Sequence, residues 1–374
     1  MKNTFRIQAS LVLVGLMLFG WVYSADAGPL EQKRPVRITF VTPEDKDARF
    51  WGIAHKFART VAQNLDIDFK IVYNEGRHRF SYRNAIQAAL QDPLRPDYIV
   101  GIFFRSTAVP FLDETQKAGI PVFIINTTTP AEDHHQIGQP RQNYPLFLGQ
   151  MHPDEKQAGY DLGNYLIQKA TSDYKHQTAE IIAISGHREN PVSNIRVDGL
   201  KQIAAETQST FNRTIFSTWI PEDARNVTRK VAEKHQKTNV YWYASDLMAI
   251  KSAPEIPLNQ KATVGGFDWN PQVVSAISQG TVDASIGGHF VELGLSLLLL
   301  YDHYNGYDFK DDTGVVIKTK MALLEKDNLA TYSRFLSGEN WETIDFKSFT
   351  KTQSGPDHTC DLSLPALITA EQNN

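Results

Sequence analysis

From Val36 to Thr127 the chain alternates short, near-continuously apolar runs with stretches whose apolar residues recur at helical spacing, and this leaves few folds open. "VRITFVT" (36–42) has the composition of a buried strand, and the pattern from Asp47 to Leu65 is helical. "FKIVYN" then precedes "YRNAIQAALQ", "DYIVGIFF" precedes "AVPFLDETQKAG", and "IPVFIINT" closes the series, with Gly119 placed to stop a helix. Strands that are apolar along their whole length are buried on both faces. The fold class is therefore α/β, a parallel sheet covered by helices on each side.

A second series follows: "EKQAGYDLGNYLIQKA", "AEIIAISG", "IRVDGLKQIAAE", "TIFSTW", "ARNVTRKVAEKH", "NVYWYAS" and "KATVGGFD". The same unit is built again, without a residue-level repeat. At 374 residues the chain exceeds what one core usually organises, so two Rossmann-like parallel-sheet lobes are expected. Their joint is placed near "LFLGQMHPDEK" (146–156), where Pro153 and the acids after it suit a helix N-terminus. Beyond Ser348 the sequence is polar and aperiodic, and 348–374 is expected to be a loosely ordered tail.

Lys2 and Arg6, the apolar run "LVLVGLMLFGWV" and Ala25-Asp26-Ala27 together form a secretory leader, so the protein is expected to be exported and cleaved near Ala27. A net charge of -4 with no Lys/Arg-rich block argues against a nucleic-acid partner. Cys360 stands alone and cannot pair within its own chain. The Asn-x-Ser/Thr matches at Asn126, Asn212 and Asn226 are short enough to arise by chance.

In open α/β sheets ligands bind beyond the carboxyl ends of the strands. Here those ends carry Asp47 to Trp51, Phe103 to Ser106, Asn126 and Thr127, His187 to Asn194, Trp219, Ser245 and Asp246, Asp268 and Trp269, and Gly288 and His289. Rings beside short polar side chains suit a polyol, whose hydroxyls need donors and acceptors and whose C–H faces prefer a flat aromatic. In "VGGFDWNP" (264–271), Asp268 can accept two hydroxyl hydrogen bonds and Trp269 or Trp51 can cover the apolar face, while Gly265 and Gly266 permit close approach. Asp268 has an alternative role as the cap of a helix starting at Pro271.

Catalytic chemistry finds less support. His134-His135 with His152 lacks zinc-ligand spacing, "AISGHRENPVSN" lacks a nucleophile elbow, and no phosphate-cradling glycine loop occurs. No catalytic residue, metal or cofactor is expected.

"VGGFDWNP" resembles the "GFD" signature of type I periplasmic sugar-binding proteins, the ribose/galactose-binding and autoinducer-2 receptor group. "ARFWGIAHKFARTVAQNL" resembles that group's first helix, and "AGIPVFIINT", "NIRVDGLKQ" and "YASDLMAIK" resemble three further blocks in the correct order, over roughly residues 36–320. The resemblance implies a periplasmic binding protein-like I fold with a three-crossing hinge. Its N-terminal lobe would hold 35–149 plus 289–316, and its C-terminal lobe 150–288 plus 317–345. It implies ligand contacts from Phe50, Trp51, Asn126, Asn194, Ser245 or Asp246, and Asp268, with Trp269 and His289 beside them. Many family members carry Asp-Arg where this chain has Asn126-Thr127, and an arginine where Asn194 stands. Arg196 is expected to pair with a carboxylate such as Asp198 or Glu206, either His289 or Arg196 is open to replacing a missing charged residue, and a packing role is the alternative for His289.

The function implied is that of a monomeric periplasmic receptor, not an enzyme, that closes over a sugar-like molecule and presents it to an inner-membrane ABC importer. A membrane sensor kinase, cyclase or chemoreceptor is the alternative partner. Sugar-responsive repressors share the fold but carry a DNA-binding segment where this chain has its leader, and an exported hydrolase would need the nucleophile constellation that is missing.

Overall fold

A computed structural model describes residues 34–372 apart from 45–48, 77, 174, 176–177, 189, 339 and 360; the leader (1–27), Asp47 and Cys360 lie outside the described residues. The first series folds as β1 (Arg37–Val41), α1 (Arg49–Asn64), β2 (Asp68–Val72), α2 (Arg79–Leu90), β3 (Tyr98–Gly101), α3 (Ala108–Ala118), β4 (Val122–Ile125), a short α4 (His134–Ile137) and β5 (Phe147–Pro153). The second folds as α5 (Glu155–Ser172), β6 (Glu180–Ser185), α6 (Pro191–Glu206), β7 (Thr210–Phe216), α7 (Pro221–Lys234), β8 (Val240–Tyr243), α8 (Asp246–Ser252), β9 (Thr263–Asp268), α9 (Gln272–Ser278) and β10 (Ala284–Gly287). The chain ends with α10 (Glu292–Tyr304), β11 (Val316–Thr319), β12 (Ala322–Glu325), α11 (Leu329–Ser337), α12 (Lys351–Ser354) and α13 (Leu364–Gln372).

These strands form two six-stranded sheets, ordered β11-β5-β4-β3-β1-β2 and β12-β10-β9-β8-β6-β7. Every pairing is parallel except β10 with β12. The α/β class and the doubled unit read from the apolar runs are thus observed. Apolar residues such as Ile38, Val100 and Phe123 in one sheet, and Ile181, Trp242 and Phe267 in the other, have no solvent exposure. Gly119 ends α3 in the left-handed conformation at φ 65°, and Asp154 caps α5 by accepting the Gln157 amide.

Sheet membership shifts the expected boundaries. The first sheet keeps the chain through Pro153 and takes 316–319 as its edge strand, so neither 149 nor 316 is where the chain leaves it. Trp341, expected in the second lobe, packs edge-on against Phe57 of α1 on the first, and Phe346 packs there beside it. The tail is also corrected. Residues 351–354 and 364–372 are helical, and Leu364, Leu367 and Ile368 are buried in the core. Their i, i+3, i+4 spacing forms one apolar stripe within an otherwise polar segment.

One close crossing positions the chemistry of the second lobe. A Cβ on Gly159 of α5 would meet the Arg196 carbonyl oxygen at 1.9 Å, and a Cβ on Gly199 of α6 would meet that of Lys156 at 1.9 Å. The two helices touch backbone to backbone, which brings Glu155 and Arg196 together.

Candidate functional site

Strained backbone lies at several of the strand ends. Ser106, Asn126, Trp219, Asp268 and Trp269, none of them glycine, hold positive φ at 63°, 60°, 63°, 101° and 61° in the loops after β3, β4, β7 and β9. Such conformations cost about 1–3 kcal/mol each and persist where the surroundings impose them, often at binding sites.

Around Asp268 the side chains form a continuous group. Arg196 donates from Nε to Glu155 Oε2 at 2.5 Å and from Nη2 to Glu155 Oε1 at 3.2 Å. Its Nη1 donates to the Ala244 carbonyl at 2.8 Å and to Asp268 Oδ1 at 3.3 Å, and the guanidinium lies over the Phe267 ring at 4.3 Å. His289 Nε2 is 4.0 Å from the same Asp268 oxygen, and the imidazole stacks on Phe50 with centroids 4.6 Å apart. A path of polar and ring contacts therefore runs from α5 through α6 and the end of β9 to the start of α1 on the other lobe. Burial holds His289 neutral, with its pKa well below the usual imidazole value, and Arg196 adds to that effect. Burial also pushes Asp268 above the usual carboxylate range, against the pull of Arg196 and a hydrogen bond from Ser245. His289 Nδ1 has no partner among the described residues although it is buried.

A second cluster sits between α10 and the end of β4. Glu292 accepts the Asn126 amide at 3.2 Å and the Thr319 hydroxyl, and burial raises its pKa to about 8.

The structure brings Phe50, Asn126, Asp268 and His289 to this region and gives other candidates different work. Trp269 is corrected: its ring is fully buried against Tyr332 and its Nε1 donates to the Ser285 carbonyl, because the left-handed backbone turns it inward. Asp246 is likewise internal, its carboxylate accepting from the Asn270 amide, Asn270 Nδ2 and the Ser285 hydroxyl. Trp51 is nearly buried, tilted on Phe40 and edge-on to Phe50, so it supports Phe50 from behind. Asn194 donates to the carbonyls of Arg188 and Asn190 and so steadies the loop leading into α6. Arg196 does not pair with Asp198 or Glu206, which bond to Lys201 and Tyr160 instead. Nor does Asp268 cap α9, whose N-cap is Pro271 with no side-chain bond.

Three residues of the region went unassigned as site residues. Trp219 is half-buried at the end of β7, and its indole lies over the backbone of Gly186 at the end of β6, where a Cβ would stand 1.9 Å from the ring. Glu155 and Glu292 each left a trace. Glu155 follows the cap of α5, and Glu292 is a lone acid at the head of the apolar run "LGLSLLLL". Among the described residues no group of three or more His, Cys, Asp or Glu side chains is arranged to hold a metal ion.

A family model described as the periplasmic binding protein domain matches residues 38–306. The chain belongs to the periplasmic binding protein family. A periplasmic sugar-binding protein from Pseudomonas fluorescens superposes on this periplasmic binding protein with a TM-score of 0.79, at 22% identity, over 89% of this chain and 99% of the other. The periplasmic binding protein component of an arabinose ABC transporter from Shewanella sp. ANA-3 gives 0.68 at 16% identity, covering 81% and 96%. A periplasmic ribose ABC transporter protein from Conexibacter woesei DSM 14684 gives 0.66 at 17%, covering 82% and 97%. At such identities the likeness shows the fold. No curated protein matches.

Proposed function

We propose that this periplasmic binding protein is an exported receptor that closes its two lobes over a neutral sugar or sugar-like polyol and presents the closed form to an inner-membrane ABC importer. The observation that carries this reading is the contact path Glu155–Arg196–Asp268–His289–Phe50, which meets both lobes at the strand ends and offers acceptors, a donor and a ring within one region. In this reading Phe50 on one lobe and Trp219 on the other cover the two faces of a pyranose or furanose. Asp268, neutral His289 and Asn126 take its hydroxyls. The sugar-binding, arabinose and ribose proteins among the structural neighbours support the ligand class. Closure follows from contacts available only when both lobes reach the ligand.

A thermal-shift screen of monosaccharides, disaccharides and polyols tests the reading, because a ligand at a hundredfold above its Kd adds about 2.7 kcal/mol to stability. For a sugar that stabilises the parent, Asp268→Ala should lower affinity about tenfold or more, the worth of one hydrogen bond to a charged group. Unchanged affinity with a lowered melting point would remove Asp268 from the site.

A further inference from the structure

After the second sheet receives β12, the chain does not stay with it. α11 packs on α9 and β12, and Tyr332 lies 4.8 Å from the Trp269 ring. Beyond Gly338 the chain returns to the first lobe. There Trp341 and Phe346 pack on Phe57, and the carboxylate of Asp302 in α10 accepts the amides of Lys351 and Thr352 at 2.7 and 2.9 Å, together with the Thr352 hydroxyl. α13 then goes back to α11, where Arg334 Nε donates to the buried Glu371 at 2.6 Å. At the other end of α13, Leu364 fills the space beside Gly288, so that a Cβ there would stand 2.4 Å from Leu364 Cδ2. Gly288 lies between β10 and His289, where the chain passes from one sheet to the other, and its φ is 96°.

A cavity of about 290 Å³ marks where this segment meets both lobes. It is lined by Ile53 and Lys56 of α1, Leu247 and Pro271 of the second lobe, and Leu336 and Trp341 of the C-terminal segment, and it contains neither Asp268 nor His289. Any change in lobe angle alters the space between α1 and Pro271, with the segment as its floor.

We propose that residues 326–372 act as a strap across the hinge that sets the angle between the lobes, so that opening and closing must slide α13 past Gly288. The strap holds the first lobe through Asp302 and the aromatic cluster of Phe57, Trp341 and Phe346, and the second through Tyr332 and the contacts of α11. It works without ligand, whichever molecule the cleft accepts.

The test is a spin-label distance measurement between the lobes of the ligand-free protein. Labels go on Leu94→Cys and Leu258→Cys, two exposed positions, one after α2 in the first lobe and one between α8 and β9 in the second, with Cys360→Ser in the background. Asp302→Ala removes the carboxylate hold of the strap on the first lobe, Leu364→Ala loosens it at Gly288, and the double variant does both. A broader inter-lobe distance distribution in either single variant, larger in the double, is expected. Parent-like distributions in all three would overturn the proposal even if melting temperatures fell, since a segment that only adds core would lower stability without freeing the lobe angle. Should the double variant fail to fold, the two single variants decide.

Discussion

Arg196 stands between two carboxylates, held by both oxygens of Glu155 at 2.5 and 3.2 Å and by Asp268 at 3.3 Å, with the Ala244 carbonyl taking a further donor. The guanidinium of the group is therefore committed inside the lobe, and what remains for a ligand is the Asp268 carboxylate and the neutral His289. Among the described residues of this group, an anionic ligand would meet Asp268 with Arg196 already committed to Glu155.

Sugar acids and sugar phosphates should accordingly bind about tenfold or more weakly than their neutral counterparts, each tenfold corresponding to about 1.4 kcal/mol. Calorimetric titration of a hexose beside its uronic acid measures the ratio. Equal or tighter binding of the acid would mean that Arg196 leaves Glu155 when ligand arrives.

Removing one partner of a buried pair leaves the other charge uncompensated, so Glu155→Ala should cost about 3–5 kcal/mol of folding stability. Urea unfolding gives the value. A loss below about 1 kcal/mol would show that Asp268 alone satisfies the guanidinium.

Among the described tryptophans, Trp51, Trp242, Trp269 and Trp341 are buried and Trp219 is half-exposed at a strand end. A saturating ligand should change tryptophan emission through Trp219, and Trp219→Phe should abolish most of that change while Trp269 still contributes its constant buried signal. A full response in Trp219→Phe would place the second ring elsewhere.

Glu292 has its folded pKa raised to about 8 by burial, with Glu155 adding to the shift and the Thr319 and Asn126 hydrogen bonds opposing it. A carboxyl whose pKa is raised on folding binds its proton more tightly in the native state. Its stabilisation is complete below the unfolded pKa near 4.5 and is lost as pH rises through about 8. Glu292→Gln keeps a neutral amide in place of the protonated acid, so its stability should fall less steeply between pH 5 and 8, by at most about 1.4 kcal/mol per pH unit. Parallel stability curves for parent and variant would show that Glu292 is ionised throughout. Asp246, Glu155 and Asp268, whose pKa values burial also raises, keep part of the slope in the variant.

The strands and helices were legible because burial on two faces writes continuous apolar runs, and Asp268 was legible because a charge closing such a run must face something polar. Trp269 was not, since its inward turn depends on two successive left-handed residues, and neither Asp nor Trp announces that backbone. Arg196 was legible as a paired residue, but neighbours in sequence misled. Asp198 is two positions away and so lies on another side of the helix, whereas Glu155 is 41 residues distant and arrives through the glycine contact between α5 and α6. The terminal helix was hidden by its length, because one short apolar stripe gives little periodic signal until its partner surface is known.

The pairing of β11 with β5 has a consequence for how this chain folds. Val316 sits in register with Gln150, so the first sheet waits for its outer strand until the parallel strands of the second have been made. Contacts so far apart in sequence form late, after their loop-closure entropy is met, and they slow folding. Until Val316 arrives, β5 presents an open edge to any other extended chain. The sheet begun first therefore receives its outer strand just before the second sheet receives β12, so neither half is finished until the chain is nearly complete.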